Sequence, residues 1–374
     1  ELIRCDRSNN PNSCGLVQLR HTTPPNLMYE RYFYRSGINQ TMPKNLNEIA
    51  HQAISKIKLE SNDMVVDIGC NDGTLLQNYK ELTVRAIGFD PAKNLAQFSK
   101  KSGATIITNF FSANEFVKHF NSEKAKIITS IAMFYDLEDP SKFVNDISRI
   151  LHPDGIWILE LSYLPLMLSQ NAFDTIVHEH LEYYDLHALE FLLSKNQLKI
   201  VDVQLNDING GSFRIFVQHK NNFIDDESLK RILDLRQKEK SLHLDTNEPF
   251  DAFIKRVNIE KEKLVTFIKK EISSGKIIHC YGASTKGNTL LQFYDLDNQS
   301  IQFIADRNPD KWGRRTIGTD IPIISEDESH SMKPDYFLIL PWHFIDEFKE
   351  REKIYLKNGG KLIVPLPQFK IFEE

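Results

Sequence analysis

Residues 178–180 read His178-Glu179-His180, two imidazoles flanking a carboxylate. Histidine titrates near the working pH, so it can remove a proton from carbon beside a ketone, with a neighbouring carboxylate to orient it. His180 is the candidate base, and Glu179 either orients it or holds substrate. Two other uses stay open. In an extended segment residues 178 and 180 share one face, which permits metal ligation, although no His-Glu-x-x-His pattern accompanies them. Alternatively, one ring caps a helix and the other packs in the core.

A second chemistry-bearing run is Val65-Val66-Asp67-Ile68-Gly69-Cys70-Asn71-Asp72-Gly73. Apolar strand residues end in an acid, and glycines flank a tight turn into a helix, where backbone must approach a ligand without a Cβ in the way. The helix start offers free N–H groups. Asp67, Gly69, Asn71 and Gly73 are therefore candidate cofactor contacts. Asp-x-Gly-x-x-x-Gly is not the dinucleotide pattern Gly-x-Gly-x-x-Gly, which argues against NAD. Asp90 closes the next strand, about 20 residues on, where a carboxylate accepts ribose hydroxyls. In Asn109-Phe110-Phe111, Asn109 and Phe110 lie where an adenine would, and either phenylalanine serves equally as core.

A third run, Tyr281-Gly282-Ala283-Ser284-Thr285-Lys286-Gly287-Asn288, leaves a strand and opens a helix. Gly282, Ser284, Thr285, Lys286 and Asn288 could cradle a diphosphate there, although the order is not that of a P-loop. Asp306 ends the following strand and either meets a sugar hydroxyl or starts a loop. Asn209, in Asn209-Gly210-Gly211-Ser212, either lines a cleft or simply turns a hairpin.

The elements that must position these residues alternate. A helix is expected over 45–58, then strands at 64–68, 84–89, 105–107, 127–131 and 156–161, with helices at 75–79 and 95–102. This rhythm predicts a Rossmann-like parallel sheet covered on both faces. Residues 198–205 and 212–218, parted by a turn, predict an antiparallel hairpin closing it. Lys- and Glu-rich residues 226–274 predict two long helices, followed by a second α/β unit with strands at 277–281, 301–305, 336–340 and 361–364. The expected divisions are 1–45, loop-rich with breakers such as Asn9-Asn10-Pro11-Asn12, then 46–220 and 221–374.

The 374 residues exceed one ordinary core. A net charge of -5 gives no basic field for nucleic acid. No apolar stretch approaches the roughly 20 residues of a membrane helix. The start at Glu1 lacks both an initiator Met and a signal-peptide pattern, and looks like a chain already in progress. Four cysteines without a regular framework point to reduced thiols and a cytoplasmic setting.

Taken in order, Tyr34-Arg35-Ser36-Gly37 with Thr41-Met42, the Asp67–Gly73 loop, His178-Glu179-His180 and the Tyr281–Gly287 turn resemble the S-adenosylmethionine (SAM)-dependent sugar C-methyltransferase family. The likeness covers nearly the whole chain. It implies a class I SAM methyltransferase domain, a second Rossmann-like α/β domain that helps hold a nucleotide-linked sugar, and a small N-terminal zinc-binding part. Members methylate C3 of nucleotide-linked 4-keto-deoxysugars. The resemblance implies that Tyr34 lies near substrate, where its hydroxyl could bond a developing enolate oxygen. His178 and Tyr183 join the expected substrate contacts, in a protein acting as monomer or homodimer.

Two departures stand out. The family's zinc part has two Cys-x-x-Cys pairs, and here only Cys5 and Cys14 are available, with His21 as a substitute ligand. Val177 stands where the family carries a tyrosine, shifting that task to Tyr34, Tyr183 or Tyr184. O- or N-methylation of a related sugar or small metabolite is the nearest alternative, and a SAM-binding scaffold without turnover the next.

Overall fold

The computed structural model describes residues 1–7, 10, 12–38 and 41–373; Asn9 and Pro11 of the N-terminal breaker run lie outside them. Two compact units form, one from Glu1–Leu164 with His178–Asp245, the other from Pro165–Val177 with Thr246–Glu374.

In the first unit, β1 (Leu2–Arg4) pairs antiparallel with β2 (Val17–Leu19). The main sheet takes β3 (Met64–Ile68), β4 (Arg85–Phe89), β5 (Thr105–Ile107), β6 (Ala125–Ile131) and β7 (Leu151–Ser162). After β8 (Glu182–Tyr183), which pairs with β2, come β9 (Leu198–Asn206) and β10 (Ser212–His219). The seven-stranded order is β5-β4-β3-β6-β7-β10-β9, parallel through β7 and antiparallel in the final hairpin. Its order reverses between β3 and β6, and open α/β sheets bind ligands beyond the carboxyl ends of strands at such a switch.

Every residue of β3 is buried, as a strand covered on both faces requires. Helix Thr41–Lys56 lays Met42, Leu46, Ile49, Ala50 and Ala53 against Val65, Ile127, Ile156, Ile158 and Phe216. Full burial of each large side chain contributes about 1.5–3 kcal/mol. The turn after the cofactor loop is a 3-10 segment, Leu76–Tyr79, rather than a full α-helix, and Leu76 and Tyr79 are buried. Beside the hairpin a buried ion pair is fully dressed. Arg214 Nε donates to Glu160 Oε2 at 2.8 Å, Nη2 to Asn45 Oδ1 at 2.9 Å and Nη1 to Glu48 Oε1 at 2.9 Å. Glu160 also accepts from Asn45 and Asn206.

The second unit carries β11 (Ile278–Tyr281), β12 (Ile304–Ala305), β13 (Ile323–Ile324), β14 (Tyr336–Ile339), β15 (Lys361–Val364) and β16 (Lys370–Phe372). Their order is β13-β12-β11-β14-β15-β16, parallel except for β16. Tyr281, Phe337, Ile339 and Leu362 form part of its core. Helix Glu248–Ser273 belongs to this unit, whereas Asp226–Ser241 belongs to the first. Among the described residues no helix is long and apolar enough to cross a membrane.

Candidate active site

The loop after β3 is held from beneath by β4. Gly69 N and Cys70 N donate to Phe89 O, and Gly69 (φ 74°) and Gly73 (φ 80°) both take the left-handed backbone. A Cβ on Gly69 would sit 3.1 Å from Met133 Cγ, and one on Gly88 would sit 2.6 Å from Cys70 Sγ, so neither glycine has room to spare. Asp67 is buried and accepts from Thr129 Oγ1 at 2.6 Å. Burial pushes its carboxyl up to about 7, against that hydrogen bond and with help from Asp90. Asp67 thus shapes the loop from inside the sheet.

Asp90 stands at the end of β4 and accepts Asn71 N and Ala92 N, both at 2.8 Å. Burial raises its carboxyl to about 6 despite those two donors. Beyond β5, Phe110 is exposed, while Phe111 packs edge-on to Phe89 and Phe143. Phe111, half-buried, is held in this aromatic packing, and Phe110 is the ring left open to a ligand. Asn109 Oδ1 accepts Phe110 N and so fixes the turn that presents it.

These residues fit an adenosyl cofactor: a glycine cradle, a carboxylate with lone pairs for ribose hydroxyls, and an open aromatic face. Asn71 departs from a simple contact role. Its side chain accepts from Ser36 N at 3.0 Å and donates to Tyr34 O at 3.1 Å, so it is turned toward the segment carrying Tyr34.

The His178–His180 segment lies in the same unit. His178 is exposed, while Glu179 and His180 are half-buried. The next residue, Leu181, donates its N–H to Tyr135 O at 2.8 Å, and the His180 ring rests 4.3 Å from the Tyr135 ring centroid. Tyr29 Oη donates to Glu179 O at 3.3 Å, and Tyr32 hydrogen-bonds the Glu179 side chain. Tyr34, exposed, is within electrostatic reach of Tyr32 and Tyr135. Tyr34, Glu179 and His180 therefore share one neighbourhood. Tyr183 and Tyr184 are buried, and Tyr184 Oη donates to Glu182 Oε2 at 2.6 Å. Val177, where the family carries a tyrosine, is buried as well. Asn209 sits with φ 55° in the β9–β10 turn, next to Gly210 and Gly211, whose carbonyl accepts Tyr163 N.

Four residues of this neighbourhood escape sequence reasoning: Tyr29, Tyr32, Tyr135 and Asp136. The Tyr29-x-x-Tyr32-x-Tyr34 run is visible in the chain, but Asp136 carries no motif. Its carboxyl is held well above the usual range, by burial first and then by Glu179, against a hydrogen bond from Tyr29. Asp136 Oδ1 is buried without a hydrogen-bond partner. A carboxyl in that position is stable as the neutral acid.

In the second unit Gly282 (φ 83°) follows β11 directly, and a Cβ there would meet Pro341 Cδ at 2.9 Å. Ser284 caps helix Thr285–Phe293 by accepting Gly287 N, and Asn288 lies half-buried in its first turn. Asp306 is spent on structure, accepting Ala283 N, Asn308 N and Lys311 Nζ. Lys286 interacts electrostatically with Asp174 and with His343, whose ring burial depresses to about 3. Trp342 Nε1 donates to Asp174 Oδ2 at 3.0 Å. Asp174, Trp342 and His343 are thus further polar residues around the expected diphosphate turn, and no motif marked them.

Cys5 and Cys14 hydrogen-bond through their side chains, and His21 is exposed. Among the described residues no group of three or more His, Cys, Asp or Glu could hold a metal. A structural zinc takes four ligands, so this pair of thiols does not make the expected zinc site.

Two family models match the chain, a methyltransferase domain over residues 34–203 and a C-methyltransferase C-terminal domain over 207–367. C-methyltransferase NovU of Streptomyces niveus is 30% identical over 360 residues, covering 96% of this chain and 85% of that protein. Among solved structures, protein PH0226 of Pyrococcus horikoshii aligns at TM-score 0.40 and 14% identity, covering 50% of this chain and 94% of its own. Magnesium protoporphyrin IX methyltransferase of Synechocystis, with bound SAM, aligns at TM-score 0.36 and 12% identity, covering 47% and 78%. The chain belongs to the sugar C-methyltransferase family and is a SAM-dependent methyltransferase.

Proposed function

We propose that this enzyme methylates a carbon of a nucleotide-linked keto-sugar, with His180 as the base. The observation that carries the reading is the placement of His180 against Tyr135, with Glu179 beside it and Tyr34 in the same tyrosine cluster. When bound, SAM supplies an electrophilic methyl on a sulfonium. Asp90 would hold the ribose hydroxyls, Phe110 the adenine, and the glycine turn the approach of the chain.

His180 takes the proton from carbon beside the ketone; the C–H electron pair forms a carbon–carbon double bond and the carbonyl π pair moves onto oxygen. Tyr34 donates a hydrogen bond to that oxygen as its charge grows, which lowers the barrier only if the donor is already in place. Glu179 orients the imidazole and stabilises it once protonated. The Gly282–Asn288 turn and Lys286 would bind the sugar's diphosphate, with Asp174 limiting the net charge offered there. Four free thiols are compatible with a reducing cytoplasm.

Labelled SAM with a panel of nucleotide-linked 4-keto and non-keto sugars tests the reaction, scored by product mass. His180→Ala should keep S-adenosylhomocysteine binding and lose about 10²–10⁴-fold in turnover, the usual worth of a positioned base. In heavy water the wild type should exchange the sugar proton beside the ketone. Methyl transfer to oxygen or nitrogen with no exchange would replace this proposal, and that outcome is the one a missing phenol at Val177 favours.

A further inference from the structure

Residues 29–38 run as a strap over the cofactor loop, and the bonds between them come from the loop's own side chains. Asn71 Oδ1 accepts Ser36 N at 3.0 Å, and Asn71 Nδ2 donates to Tyr34 O at 3.1 Å. Asp72 Oδ2 accepts Gly37 N at 2.9 Å and faces Arg35 Nε at 3.9 Å. The Arg35 guanidinium lies 3.7 Å over the Phe98 ring. Upstream, Tyr32 N donates to Asn94 Oδ1 at 3.0 Å, Asn94 Nδ2 returns a bond to Tyr32 O, and Lys93 pairs with Glu30. The fit is close: a Cβ on Gly37 would stand 3.0 Å from both Asp72 Oδ2 and Thr74 Oγ1.

Asn71 also faces the other way. Its backbone N–H donates to Asp90 Oδ2, and its φ of 50° sets that N–H and the side chain on their separate partners. One residue therefore spans the carboxylate read as the ribose acceptor and the backbone that carries Tyr34. Asp72 is 5% exposed and shares its other oxygen with Thr74, so it is a fixed anchor.

We infer that Asn71 and Asp72 are positioning residues that couple the cofactor site to Tyr34: filling the site fixes the strap, and the strap in turn tightens the site. The inference rests on the proposed roles of Asp90 and Tyr34. The physical content is linkage. A ligand that rigidifies the loop through Asp90 restricts Asn71, and the Asn71 side chain passes that restriction to Ser36 N and Tyr34 O, while its Oδ1 also accepts Asp72 N within the loop at 2.9 Å. The coupling must be equal in both directions.

The test uses S-adenosylhomocysteine and needs no sugar. Amide hydrogen exchange over residues 29–38 is measured with and without it, and its affinity by calorimetry. In the wild type, the ligand should slow exchange at Ser36 and Gly37 by about tenfold or more, as expected for local opening that is linked to binding. Asn71→Gly keeps the left-handed backbone and deletes the side chain. Strap protection by the ligand should vanish, and affinity should fall by the same factor, about tenfold or more. Ser36→Pro removes the N–H that Asn71 accepts, at the first position of the 3-10 turn Ser36–Ile38, where proline is tolerated. It should weaken binding by the same factor by which it lowers strap protection, and it keeps the test alive if Asn71→Gly does not fold. Binding without strap protection in the wild type, or equal protection in either variant, overturns the coupling alone. Absence of binding to the wild type overturns the cofactor reading together with it.

Discussion

Asp90 should tie cofactor affinity to pH. Its carboxyl is raised to about 6 by burial, while two backbone N–H groups donate to its oxygens. Ribose hydroxyls donate to the ionised form, so binding requires deprotonation. The sign follows: affinity rises as pH rises through about 6 and falls below it. For a single group of that pKa, the ionised fraction is about 0.9 at pH ~7 and about 0.09 at pH ~5, roughly a tenfold loss, or about 1.4 kcal/mol. The folding contribution runs oppositely. A carboxyl raised above its unfolded value favours the native state at low pH, and that advantage is lost as pH rises through about 6. Acid unfolding through this group would therefore not mimic weaker binding. Calorimetry with S-adenosylhomocysteine at several pH values measures the slope, since that ligand has no group titrating between about 5 and 7. Asp90→Asn keeps an acceptor but loses the charge. It should bind about 10–100-fold more weakly near neutrality, the worth of charged hydrogen bonds, and flatten the slope. Asp67, raised to about 7, titrates in the same window. If Asp90→Asn retains the wild-type slope, Asp67 is its source and the reasoning about Asp90 is wrong.

Other residues carry sharp expectations. Asp136→Asn imitates a neutral acid and should keep turnover within about threefold, whereas Asp136→Ala should lose at least about tenfold by opening the floor under the tyrosine cluster; equal losses would mean the ionised form is needed. Arg214→Met leaves Glu160 buried without its guanidinium and should cost about 3–5 kcal/mol in urea unfolding, and a cost below about 1 would show that the Asn45 and Asn206 amides suffice to hold it. Gly88→Ala drives a methyl into Cys70 Sγ and should cost about 1–3 kcal/mol by the same assay. An unchanged midpoint would show that the Cys70 side chain swings aside.

What could be seen in the chain was what is local. The Asp67–Gly73 turn and Asp90 are legible because a strand, a glycine turn and the next strand end lie close in sequence and obey short-range geometry. The β9–β10 hairpin is legible for the same reason. Phe110 and Phe111 are not separable without knowing which face of the sheet each meets, and only the packing of Phe111 on Phe89 and Phe143 decides it. The tyrosines around Glu179 and His180 come from two distant segments, so no spacing announces them. Asp174 is harder still: its partner Trp342 lies far along the chain, and its own segment belongs to a unit that the sequence gives no reason to suspect. The β1–β2–β8 sheet escaped notice because its strands are two or three residues long, below any usable periodicity.

The short excursion of residues 165–177 has a practical meaning for anyone dissecting this enzyme. The chain passes between units at three places, so a single cut near residue 245 frees neither half cleanly. A fragment ending there would carry Phe173 away from the Phe293 and Tyr294 rings it packs on, at 4.5 and 5.5 Å. The complementary piece would present those aromatics bare, an invitation to aggregate. Exchanging the second unit between relatives therefore calls for two grafts, the tail and this thirteen-residue insert together, with the His178-Glu179-His180 segment starting at the very seam.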